Sequence, residues 1–184
     1  MATQSPWQII KSHYVHTNNW FKVKKYDVIT PAGNKGEYNV IEFPASVTIV
    51  VLNEKQEICL TEEYRFPHQE WMWQLPIGAI DKDDKTTLAA AKRELQEETG
   101  LVAASWSYVG QSRGIKGATN HIMHTYIAQN IQNIDALVPQ SAEGIKTIRF
   151  VSTDAFFQEI RDGKIMDNET ISSITLALLK LGIL

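Results

Sequence analysis

The pattern of apolar and polar positions changes period along the chain. Trp20 to Thr30 alternates and predicts a strand. Pro31-Ala32-Gly33-Asn34-Lys35-Gly36 is a cluster of turn residues, and Glu37 to Phe43 reads as the returning strand of a hairpin. Val47 to Leu52 is a β-branched run, which predicts a buried strand. Strands are also predicted at Glu57–Tyr64, Trp71–Leu75, Ser105–Gly110, His121–Ala128 and Lys146–Val151. From Thr86 to Thr99 the period becomes helical, with Thr86 or Thr87 near the N-cap and Gly100 just past the end. Thr153–Arg161 and Glu169–Leu181 read as two further helices. Strands interleaved with helices, with hairpins outnumbering βαβ units, predict an α+β fold: a mixed sheet between helices.

The helix over 86–99 carries the chemistry. At about 100° per residue, Leu88, Ala91 and Leu95 form an apolar stripe. Glu94, Glu97 and Glu98 fall on the adjoining arc. Glu94 and Glu98, four residues apart, repel each other. Acidic groups in the last turns also oppose the helix dipole, by about 0.3–1 kcal/mol each. Arg93 offsets part of this through an i,i+4 pair with Glu97. A solvated acidic face is one reading of such a cluster. A cation site is the other, and clustered oxygen donors suit Mg²⁺ or Mn²⁺ better than zinc.

Composition narrows the setting. The chain has 184 residues, 21% of them charged, with a net charge of −3. This is the make-up of an ordinary globular domain and argues against a dominant nucleic-acid-binding surface. Cys59 is the single cysteine, so no intrachain disulfide can form, and its apolar neighbours predict a buried thiol. No run of about 20 apolar residues is present to span a membrane. The N-terminal residues lack the basic and apolar regions of a secretory signal, which makes a cytoplasmic location the expectation.

The segment Gly78 to Leu101 resembles the Nudix box, G-x5-E-x7-R-E-U-x-E-E-x-G-U with U apolar. Arg93-Glu94-Leu95-Gln96-Glu97-Glu98-Thr99-Gly100-Leu101 matches every specified position of its second half. The first half departs by one inserted residue: counting forward from Gly78 puts Asp84 at the first Glu, and counting back from Arg93 puts Lys85 there. Outside the box, the hairpin ending in Glu37–Glu42, then Glu63-Tyr64-Arg65, Trp73-Gln74-Leu75-Pro76 and Asp162-Gly163-Lys164-Ile165 are similar to the ADP-ribose and nucleotide-sugar pyrophosphatase branch.

That resemblance implies an α/β/α sandwich with a loop–helix–loop box, an N-terminal β element over 1–43 and a Nudix domain over 44–184. It implies a metal-dependent enzyme that cleaves the diphosphate of a nucleoside diphosphate sugar. ADP-ribose is the leading substrate, giving AMP and ribose 5-phosphate. GDP-mannose or another nucleotide sugar is an alternative, as is a module that binds without hydrolysis. Glu94, Glu98, Glu97 and the Ile77 carbonyl become the metal-ligand candidates, for Mg²⁺ with Mn²⁺ as a substitute. Arg93 orients the carboxylates. Glu143, on a loop before the last strand, is the candidate general base, with Glu97 as the fallback. Arg65 and Arg113 are candidates to hold the diphosphate, and Trp73, with Trp71 and Phe66, to stack on a base or sugar. The aromatics of residues 7–43 suggest a homodimer. His121 and His124 read as structural.

Overall fold

The computed structural model describes residues 5–132 and 144–184. They fall into two compact units. One comprises Met1–Pro44 with Arg113–Ile122, and the other Ala45–Ser112 with Met123–Leu184.

The first unit is an antiparallel sheet of β1 (Gln8–Thr17), β2 (Lys22–Ile29) and β3 (Lys35–Glu42) in that order. The β2–β3 hairpin is the predicted one. Its turn closes with the Gly33 N–H on the Thr30 carbonyl at 2.8 Å, and Gly33 takes a φ of 83°, the left-handed region that glycine enters without cost. Strand β1 is an addition to the sequence reading. All ten of its residues are exposed, so burial imposes no alternation on its side chains. Backbone pairing with β2 holds it, and the Asn18 side chain turns the chain between them by accepting from the Trp20 and Phe21 N–H groups, both at 2.8 Å. The 113–122 segment is stitched to β3: the Tyr38 hydroxyl donates to the Gly117 carbonyl at 2.6 Å, and the Ile41 N–H to the Ala118 carbonyl at 2.8 Å.

The second unit contains two sheets. Strand β4 (Ser46–Val51) is the centre of a mixed sheet, parallel to β9 (Met123–Ile131) and antiparallel to the short β7 (Ile77–Ala79). Strand β8 (Ala103–Ser112) closes that sheet on the far side of β9. In the other sheet β5 (Ile58–Arg65) lies between β10 (Ile145–Val151) and β6 (Glu70–Gln74). The helices are α1 (Thr87–Thr99), α2 (Thr153–Arg161) and α3 (Asn168–Lys180). The predicted α+β class and mixed sheet are what the chain adopts.

The side chains of β4 show why it reads as a β-branched run with no exposed polar face. Val47, Ile49 and Val51 pack with Ala90, Ala91 and Leu95 of α1. Val50 joins Phe156 of α2 and Ile174, Ala177 and Leu178 of α3. A strand covered on both faces has no reason to alternate. Each fully buried Val or Ile contributes about 1.5–3 kcal/mol. The apolar stripe expected on α1 is the one that packs here, with Leu88 at its edge. Cys59 is buried, and burial pushes its thiol pKa up to about 12, so it is inert as a nucleophile. Among the described residues no helix is long and apolar enough to cross a membrane.

Candidate active site

Helix α1 begins and ends as its sequence dictates. The Thr86 side chain accepts the Ala89 N–H at 3.0 Å, and Gly100 stops the helix at φ 74° with its N–H on the Gln96 carbonyl. Between those caps the glutamates divide. Glu94 and Glu98 turn inward, while Glu97 keeps 54% of its side chain exposed.

Arg93 is the hub of the acidic cluster. Its Nη1 donates to Glu94 Oε1 at 2.7 Å and to Glu97 Oε2 at 2.8 Å. Its Nη2 donates to Asp84 Oδ2 at 2.8 Å and to the Ala79 carbonyl at 2.9 Å, and Nε reaches the other Asp84 oxygen at 3.3 Å. Such two-pronged arginine–carboxylate contacts are among the stronger charge-assisted bonds. The question left by the inserted residue is thereby resolved: Asp84, not Lys85, ties the loop to the helix. The loop folds back on itself, with the Asp81 N–H on Asp84 Oδ2 at 2.9 Å. The hydrogen bond from Arg93 holds the Asp84 carboxyl below the usual carboxylate range.

Glu98 is buried, and its Oε2 accepts the Ile77 N–H at 3.3 Å. Burial pushes its carboxyl well above the ordinary range, and the charges of Glu94 and Glu63 push the same way; the Ile77 N–H and Arg65 oppose them. Burial also raises Glu94, against the pull of Arg93. Gly78 leaves the room that the Glu94 carboxyl occupies, because a Cβ there would stand 1.9 Å from the carboxyl carbon. A side chain at position 78 would force the Glu94 carboxylate or the strand to move.

These features fit a hard divalent cation. One buried and one partly buried carboxylate are held where burial disfavours the ionised form of each, and the donors are oxygens. Among the described residues no three His, Cys, Asp or Glu side chains form a ready-made cage. A magnesium-type ion needs none, since it keeps several of its waters and takes one or two carboxylates.

The other sequence candidates fall in different places. Arg65 is brought close enough to act on Glu98 electrostatically, and it forms an ion pair with Glu63 at 2.9 Å. Its Nε donates to Gln74 Oε1 at 2.8 Å, and Gln74 Nε2 donates to Glu63 Oε2 at 2.6 Å. Trp73 is a correction. Successive residues of a strand face opposite sides, so Trp73 lies on the face opposite Gln74. There its ring stacks under the Arg149 guanidinium at 3.8 Å and packs against the α2–α3 core, so it is not set beside the carboxylates for stacking on substrate. Trp71 meets Tyr64 edge to face, and Phe66 is 78% exposed. Arg113 belongs to the 113–122 segment of the first unit. Glu143 lies outside the described residues. Glu63 and Gln74 are not singled out by the sequence, although Glu63 and Arg65, two apart on a strand, are bound to share a face.

Comparison with known proteins shows the family and the fold. Residues 42–170 match the NUDIX domain family, and residues 7–41 match the nucleoside diphosphate sugar hydrolase N-terminal domain. An ADP-ribose pyrophosphatase of Mycobacterium tuberculosis is 23% identical over 91% of this chain and 81% of its own. A methanol dehydrogenase activator of Bacillus methanolicus is 24% identical over 90% of this chain and 89% of its own. A crystal structure of an ADP compounds hydrolase superposes with a TM-score of 0.81 at 20% identity, covering 99% of this chain and 97% of that one, and so shares the fold. The chain belongs to the NUDIX family, as a hydrolase of nucleoside diphosphate derivatives.

Proposed function

We propose that the protein is a Mg²⁺-dependent pyrophosphatase whose substrate is ADP-ribose, cleaved to AMP and ribose 5-phosphate. The observation that carries this reading is the pair of buried Glu98 and partly buried Glu94, packed against Ile77 and Gly78 and flanked by Arg65. A relative named as an ADP-ribose pyrophosphatase, matched along most of both chains, supports the choice of substrate.

When bound, a divalent ion neutralises diphosphate charge and lowers the pKa of a coordinated water. Glu94 and Glu98, with the Ile77 carbonyl, are the groups that would hold it. Glu97 lies further out, tied to Arg93, and is the third ligand candidate and the fallback base. Arg93 keeps the carboxylates in place and so acts through them. Arg65 offers a guanidinium to the diphosphate. Glu143 is retained from the sequence as the general base, so Glu143→Gln should lower kcat by about 10²-fold or more and leave KM little changed.

The first unit supports a homodimer. Trp7, Ile9, Tyr26, Val28, Tyr38 and Val40 line an apolar cavity of about 350 Å³ on its sheet, and Ile9 is 63% exposed. An apolar surface of that kind is normally covered by a partner.

The test is product analysis with Mg²⁺ against ADP-ribose, GDP-mannose, UDP-glucose, diadenosine polyphosphates and 8-oxo-dGTP, with an EDTA control. Metal-dependent AMP release from ADP-ribose well above the others is the expected result. Preference for GDP-mannose or another sugar would replace the substrate. Tight binding without turnover of any of them would overturn the reading in favour of a sensor.

A further inference from the structure

Glu63 and Gln74, which have no role in the reaction outlined above, close a ring of hydrogen bonds with Arg65. Arg65 donates from Nε to Gln74 and from Nη1 to Glu63, and Gln74 donates to Glu63. Both carboxylate oxygens and both ends of the amide are engaged. The ring also fixes the orientation of the amide, since a flipped Gln74 would point its NH₂ at the Arg65 donor and its oxygen at the carboxylate.

Three observations place this ring at the site rather than in the scaffold. Register pairs Thr61 with Gln74, which makes Glu63 a diagonal neighbour of Gln74 across the two strands. Cys59, Thr61, Glu63 and Arg65 share one face of β5, and Cys59 packs in the cluster that includes α1, so the ring faces the helix that carries the acidic pair. Gln74 is buried and stands three residues before Ile77, whose N–H holds Glu98. Arg65 itself keeps 37% of its side chain exposed, and its Nη2 lies outside the ring.

We propose that Glu63 and Gln74 are positioning residues, which hold Arg65 so that its Nη2 donors meet the diphosphate of a substrate bound at Glu94 and Glu98. This rests on the hydrolase reading given above. An arginine left to itself loses much rotamer freedom when it binds. A ring assembled in advance removes that loss at the moment of binding. The benefit goes to substrate affinity, so it shows in KM more than in kcat.

The ring has a property that makes it testable: it can run in either sense. In Glu63→Gln alone, the new amide meets the amide of Gln74, and one donor faces another. In the double variant Glu63→Gln/Gln74→Glu, the amide oxygen introduced at position 63 accepts from Arg65 Nη1. Its NH₂ donates to the carboxylate introduced at position 74, which in turn accepts from Arg65 Nε. Net charge is unchanged.

The experiment measures kcat and KM for ADP-ribose with Mg²⁺ in the parent, both single variants and the double variant, with melting temperatures alongside. Each single variant should lower kcat/KM by about tenfold, mainly through KM, and the double variant should return to within about threefold of the parent. In an Arg65→Ala background, Glu63→Gln should leave KM unchanged, whatever it does to kcat by removing a charge that acts on Glu98. Parent-like kcat/KM in both single variants, or a loss that the double variant does not recover at an unchanged melting temperature, overturns the proposal. A parent protein that hydrolyses none of the substrates overturns the hydrolase reading instead. In that case the Arg65 Nε–H resonance, protected in the parent and lost in Gln74→Leu, still reports whether the ring forms.

Discussion

Strands β4 and β1 have the same secondary structure and opposite surroundings. All six residues of β4 are buried, and all ten of β1 are exposed. In β4 the side chains specify the strand, because both faces are buried and β-branched residues fill them. In β1 backbone pairing specifies it and the side chains are left for other uses. The same contrast separates the two units at their most unusual points. The second unit draws two carboxylates in from solvent, Glu98 buried and Glu94 partly so, and the first sets Trp7, Ile9 and Tyr14 where water is present. Each arrangement is unfavourable alone. Charge in burial calls for a cation, and an apolar sheet in water calls for apolar cover.

This contrast can be broken from the buried side first. Gly78→Ala forces a Cβ onto the Glu94 carboxyl, so either β7 or the carboxylate must shift. Turnover should fall by about 10²-fold, as expected for a displacement near 1 Å in a site. Steady-state kinetics and a melting curve would check this, and parent-like kcat/KM would show that the close contact is unimportant.

A smaller effect is expected at Asp84. Its folded-state carboxyl is held below its ordinary value by Arg93. The stability it contributes is therefore present above the unfolded pKa, near 3.8, and is lost as pH falls through the lower folded value. Asp84→Asn should lower the melting temperature by about 2–4 °C at pH 7. That difference should shrink below about pH 3.8, the ordinary value at which an unpaired aspartate protonates. A difference that stays constant down to about pH 2.5 would mean that the Arg93 pairing is not its source.

The exposed side sharpens the comparison with the smallest change in stability. Ile9→Lys on β1 replaces an exposed apolar residue that lines the cavity. It should cost within about 0.5 kcal/mol of monomer stability while converting a dimer to a monomer by light scattering. A monomeric parent would contradict the homodimer outright.

How much is legible in the sequence follows from the same distinction. Helix α1 is readable from both caps and its stripe, because Thr86, Gly100, Leu88, Ala91 and Leu95 are local signals. Strand β4 is readable from its β-branched run. Strand β1 is not, since no face of it is buried, and neither is β7, whose three residues are strand only by pairing with β4. Within the site, the pairing of Arg93 with Glu97 follows from helical spacing. The choice of Asp84 over Lys85 does not, because an insertion in a loop shifts the count without saying which residue turns inward. The stacking expected of Trp73 fails because an aromatic beside the box pattern says nothing about the face of β6 on which it falls. The Glu63–Gln74–Arg65 ring depends on register between two strands, which a single sequence does not display.

The central proposal is that Glu98, buried, and Glu94, partly buried, hold a divalent ion that the reaction requires. The most direct measurement is Mg²⁺-dependent AMP release from ADP-ribose by Glu98→Gln, with melting temperatures taken in EDTA. The account predicts that turnover falls by about 10³-fold or more, while the metal-free variant melts no lower than the parent, because a neutral amide removes a buried like-charge interaction. Full activity in Glu98→Gln would contradict it.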